Sequence, residues 1–178
     1  NPTGPLHIGH ARNAIAGDTL ARILDAAGYD VTREYYFNNA GAQMAKLGES
    51  LRARYLQALG RTAPVPEDGY QGDYLLEIAD RLKDERGDEL AGSDDIAFFT
   101  ARAVDEILRL IEEDLDSLDI HFDVWSTESS MYEKGCVDAA MKDLRAKGVV
   151  YDKDGAVWLR TSQFGDEKDR VLVKSDGS

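Results

Sequence analysis

Two histidines, His7 and His10, stand three residues apart in the stretch NPTGPLHIGHARN. Pro2, Gly4 and Pro5 precede them, and the residues that follow have helical spacing. At a helix start such a pair meets backbone N–H groups without an intrahelical partner and the positive end of the helix dipole, which together make an anion site. Imidazole donates to phosphate oxygens and, when protonated, adds charge where negative charge develops. Gly9 has no Cβ, so a flat ring can approach the backbone closely. By spacing alone, H-x-x-H is also the pattern of an idle surface pair or of two metal ligands. The metal reading has little to build on, because His121 is the only other histidine and Cys136 the only cysteine.

The elements that must position this pair follow from periodicity. Residues 9–27 have helical spacing, with Ala11, Ile15, Ile23, Leu24 and Ala27 on one face and Gly28 as a stop. YDVTREYYF (29–37) is rich in aromatic and β-branched residues and reads as a strand. Helical spacing returns over 42–59, and 60–72 is a Pro/Gly loop. Asp73 caps a helix reaching about Arg86, and 95–118 form a long amphipathic helix with an acidic, solvated end. IHFDVWS (120–126) alternates as a strand does. Ser130 and Glu133 have capping-box spacing and open a helix to Lys147 that carries Cys136 as a small core residue. Residues 149–160 read as a hairpin around Gly155, and 170–175 as a last strand. Strands alternating with helices predict an α/β fold with a parallel sheet and helical crossovers. A further strand feeding residue 1 is expected, and the abrupt ends of the chain read as those of a piece cut from a longer protein.

Composition narrows the function. The 178 residues give room for one ordinary domain. No apolar run is long enough to span a membrane and no signal peptide is visible, so a cytoplasmic protein is expected. One cysteine excludes an intrachain disulfide and a thiolate zinc cluster. The net charge of −13 repels a phosphate backbone as a whole, so the basic surface of any nucleic-acid-binding parent should lie elsewhere.

HIGH (7–10) resembles the first signature of class I aminoacyl-tRNA synthetases. Residues 1–43, GDYLLEIA (72–79), FDVWSTESSMY (122–132) and DGAVWLRTSQFGDEKDRVLVKSDGS (154–178), in that order, resemble arginyl-tRNA synthetases specifically. The resemblance implies the first half of a Rossmann-like nucleotide-binding domain. Residues 1–59 would be its first part, 60–118 a mostly helical insertion, and 119–178 the return to the catalytic domain with a β-hairpin. It implies ATP, with Mg2+ as its counter-ion and no structural metal, together with arginine and tRNA(Arg) as partners of the full-length parent. The arginine carboxylate would attack the α-phosphate of ATP, and the arginyl group would then pass to the tRNA. The resemblance implies that His7 and His10 would take the catalytic role, that Thr3, Gly4, Pro5 and Gly9 would join them in binding ATP, and that Asn1 and Glu128 would bind arginine. Tyr132, Trp125 and Trp158 are expected to pack. The second signature loop and the anticodon-binding domain are missing, so this piece by itself is expected to be inactive and to self-associate through an open sheet edge. The competing readings are another HIGH-type adenylyl-transferring enzyme and a non-catalytic synthetase-like interaction domain.

Overall fold

The computed structural model of the chain describes residues 2–177. It is an α/β protein in which helix α1 (Ile8–Ala26) leads to strand β1 (Glu34–Phe37). Helices α2 (Ala42–Ala58), α3 (Tyr74–Arg86) and α4 (Ile96–Ser117) then carry the chain to strand β2 (Val124–Thr127). The two strands pair in parallel, with Glu34 opposite Val124 and Phe37 opposite Thr127, so the three helices form the crossover a parallel pair requires. Short α5 (Glu128–Glu133), α6 (Cys136–Ala146) and strands β3 (Val150–Lys153), β4 (Ala156–Leu159) and β5 (Arg170–Val173) follow. The last three make an antiparallel sheet in sequence order, β3 and β4 joined through Asp154 and Gly155, both at positive φ.

The chain divides into a unit ending at Ser129 and a second beginning at Ser130. In the first, α2, α3 and α4 pack together. In α4, Phe99, Ala103, Ile107, Ile111 and Leu115 recur every four residues and form one buried stripe. Leu47, Leu51 and Tyr55 of α2 and Leu75, Ile78 and Leu82 of α3 complete the core. Gly48 lets α2 and α4 approach closely, since a Cβ there would lie 2.2 Å from Thr100 Oγ1 and 2.8 Å from the Ile96 carbonyl oxygen. Buried Tyr55 keeps its hydroxyl satisfied by donating to the Gly87 carbonyl at 2.7 Å. Residues 60–118 thus hold α3 and α4, with α2 packed against both. In the second unit α6 packs against β3, and Trp158 lies parallel to Tyr151 at 6.5 Å between ring centroids.

Several expectations need correction. Only four residues of the expected strand 29–37 pair, because the partner β2 is itself four residues long. The helix expected over 130–147 is two helices: α5 begins at Glu128, ahead of the supposed cap at Ser130, and the chain breaks at Gly135, whose φ is +69°. Cys136 begins α6 just past this break and is exposed rather than part of a core. Tyr132 is exposed too. The expected apolar face of α1 does not point inward: Ile15 and Ile23 are 49% and 61% exposed, and Ala21 is the buried residue. Small residues permit the approach on that side, and Asp18 anchors it by accepting from Arg33 Nε of the segment leading into β1 at 3.3 Å.

Candidate active site

The site is built where α1 begins. His7 is the N-cap residue, in extended backbone, and its Nδ1 accepts from the Gly9 N–H at 3.1 Å. In return His10 Nδ1 accepts from the His7 N–H at 3.2 Å. Each ring therefore caps the helix start in the way a Ser and a Glu do in the usual capping box. The two rings stack, 3.6 Å apart at their centroids and 20° from parallel. An Nδ1 that accepts an N–H bond carries no proton, so each neutral ring holds its proton on Nε2. The backbone thereby leaves both imidazoles with an Nε2–H donor. Gly9 is necessary to this arrangement, because a Cβ there would stand 2.9 Å from His7 Cε1.

His10 lines a cleft of about 400 Å³ together with Gly4, Leu6, Asn13, Tyr35 and Tyr36. Tyr35 and Phe122 of its lining meet edge-on at 5.1 Å between ring centroids, and Tyr35 also stacks on Trp125, centroids 4.5 Å apart. Tyr74, the first residue of α3, donates its hydroxyl to the Thr3 carbonyl, and its ring lies against Gly4. Burial pushes the Tyr74 hydroxyl up to about 12, so it stays a neutral donor across the physiological range. Pro5 lies exposed on the way into α1.

At the carboxyl end of β2, Glu128 Oε2 accepts from Tyr36 Oη at 3.0 Å. One residue on, Ser129 and Asn39 exchange two hydrogen bonds: the Ser129 N–H donates to Asn39 Oδ1 at 3.1 Å, and Asn39 Nδ2 donates to Ser129 Oγ at 3.0 Å. These bonds tie the ends of β1 and β2 together. Thr3, Gly4, His7, Gly9 and His10 thus lie together at the start of α1, whereas Glu128 does not line the cleft and is hydrogen-bonded to Tyr36, which does. Asn1 lies outside the described residues. Sequence reasoning missed Tyr36, Asn39 and Tyr74. Tyr36 and Asn39 flank a strand end in YYFNNAG, but the register that sets them beside Glu128 and Ser129 joins residues about ninety positions apart. No group of three or more His, Cys, Asp or Glu able to hold a metal occurs among the described residues, and no helix among them is long and apolar enough to cross a membrane.

A parallel strand pair with an imidazole-capped helix start beside its carboxyl ends defines the class: an α/β domain of the kind that binds ligands outside the ends of its strands. Residues 1–178 match the family described as tRNA synthetases class I (R), catalytic domain, and the chain belongs to that family. The arginine–tRNA ligase of Desulfotalea psychrophila is 52% identical over 177 residues, which cover 99% of this chain and 32% of that protein. That of Bacillus subtilis is 48% identical over 181 residues, covering 100% and 33%. A crystal structure titled as a putative arginyl-tRNA synthetase from Campylobacter jejuni has a TM-score of 0.91 at 38% identity, over 100% of this chain and 39% of its own. Arginyl-tRNA synthetase of Thermus thermophilus, 24% identical, shares the fold with a TM-score of 0.66, over 100% of this chain and 32% of its own. The chain spans about a third of the length of the curated relatives it matches.

Proposed function

We propose that this chain is the part of an arginine–tRNA ligase that holds the triphosphate of ATP and one side of the arginine site. The observation that carries the reading is the stacked His7–His10 pair, whose Nδ1 atoms are occupied by backbone N–H groups at the start of α1. The two Nε2–H donors suit phosphate oxygens. As the arginine carboxylate bonds to the α-phosphorus, the bond to the pyrophosphate oxygen breaks and charge spreads over the phosphate oxygens, where fixed donors stabilise it most. Thr3, Gly4, Pro5 and Gly9 shape the approach of the nucleotide, and Mg2+ accompanies the phosphates as their counter-ion. Glu128 takes the guanidinium, a planar fork that matches a carboxylate, and Asn1 serves the amino-acid end of the ligand. In this reading 1–59 and 119–178 belong to the catalytic domain, 60–118 are a helical insertion, tRNA(Arg) is the acceptor and the compartment is the cytoplasm.

In the full-length parent, His10→Ala should lower ATP–pyrophosphate exchange, measured with arginine and tRNA present, by about 100-fold, the scale of one lost oxyanion donor. Near-normal exchange would overturn the role given to the pair.

A further inference from the structure

We infer that Tyr36 is a positioning residue for arginine selection, acting by holding the Glu128 carboxylate in the orientation that receives a guanidinium. The inference rests on the reading of Glu128 as the guanidinium partner. A glutamate at a strand end has three rotatable bonds, and ordering it costs affinity each time a ligand binds unless the protein has already done so. Here the ordering is built in at two levels. The backbone beside Glu128 is fixed by the reciprocal Asn39–Ser129 bonds at 3.0 and 3.1 Å, with Ser129 Oγ also 3.2 Å from Thr127 Oγ1. The carboxylate itself is fixed by Tyr36, whose hydroxyl donates to Oε2 at 3.0 Å.

The strand register explains why Tyr36 can do this. Tyr36 stands opposite Ser126 in the register, and Glu128 follows two residues later as the first residue of α5, just past the end of β2. A tyrosine spans that step where a shorter side chain would not. Among the described residues the carboxylate accepts this one bond at Oε2, out of about four acceptor positions that two oxygens offer. Oε1 and the second position on Oε2 remain for a two-pronged donor. Because Tyr36 also lines the cleft that His10 borders, it links the carboxylate to the space in which the proposed nucleotide site lies.

The test is a double-mutant cycle in the full-length parent, with arginine and ATP KM values taken from pyrophosphate exchange. Tyr36→Phe removes the hydroxyl and keeps the ring, which is 54% exposed, so folding should persist and the Tm should hold. The expected result is an arginine KM raised about tenfold, the scale of a hydrogen bond to a charged group, with the ATP KM and kcat within about twofold of the parent. Glu128→Gln should raise the arginine KM further, and adding Tyr36→Phe to it should change nothing more. An unchanged arginine KM in Glu128→Gln would overturn the reading of Glu128, and this inference with it. An impaired Glu128→Gln beside an unaffected Tyr36→Phe would overturn this inference alone. So would additive effects in the double variant, which would show Tyr36 acting on the ligand directly.

Discussion

At the scale of single residues, Gly9 separates stability from chemistry. It lies within α1 at an ordinary helical φ, so alanine fits the backbone there and should even favour the helix by about 1 kcal/mol. The new Cβ, however, would meet the His7 ring at 2.9 Å, and a ring at the end of a side chain yields by turning away. Turning breaks the Nδ1 bond to the Gly9 N–H, the stacking on His10 and the fixed tautomer together. Gly9→Ala should therefore leave the melting temperature of the full-length parent within a few degrees while lowering pyrophosphate exchange by tenfold or more. A variant with normal exchange would show that the His7 ring need not be held where it is.

At the scale of elements, the weakest attachment in the first unit is α1, which buries one residue and leaves most of its large apolar side chains exposed. Polar contacts hold it instead. Asp18, with a side chain 12% exposed, accepts from Arg22 at 2.5 Å and from Arg33 at 3.3 Å. Arg22 continues to the Asp119 carbonyl and carboxylate, past the end of α4. The Arg22 hydrogen bond, opposed by burial, holds the Asp18 carboxyl below its ordinary value of 3.8, and Arg22 acts likewise on Asp119. A carboxyl depressed on folding stabilises the native state above its unfolded value, and that contribution is lost as pH falls through the folded one. The urea midpoint of the chain, followed by helical circular dichroism, should drop between about pH 5 and pH 3. Asp18→Asn should lower the midpoint at pH 7 and flatten part of the acid decline. An unaltered decline would mean that the ion pairs at Asp18 do not hold α1. The rest of the slope belongs to the other depressed carboxyls, among them Asp68, Asp152 and Asp166.

At the scale of the molecule, charge is unevenly placed. From Ser130 onward acidic and basic residues balance in number, so the whole excess of −13 resides in the first unit. An excess of that size repels a polyanion at long range. Among the described residues the parallel sheet holds only β1 and β2, so each is an edge strand, the position at which another strand can add. Affinity for a small ligand follows from enclosure and preorganisation, and the cleft at His10 is only partly enclosed. The 178 residues alone should show no pyrophosphate exchange with arginine and tRNA present, and light scattering should report a mass above that of a monomer. Robust exchange would show that the catalytic machinery lies within this third of the relatives' length. A monomeric mass would show that the β1 edge is already protected.

What the sequence determined by itself was local. The α4 stripe, the turn at Gly155 and the helix start at HIGH are each set by interactions within a few residues, where spacing and glycine alone decide the conformation. The His pair was legible because its ligands are its own neighbours, the N–H groups of His7 and Gly9. Only tertiary structure decided which face of α1 turns inward, since an Asp18–Arg33 contact and small side chains outweigh the apolar pattern there. It decided as well that the helix after β2 breaks at Gly135, whose left-handed φ a uniform helical spacing does not register. The surroundings of Glu128 were beyond reach of the sequence for the same reason. Tyr36 and Asn39 meet it through a parallel pairing whose partners lie about ninety residues apart, and a parallel register depends on the whole three-helix crossover that brings the strands together.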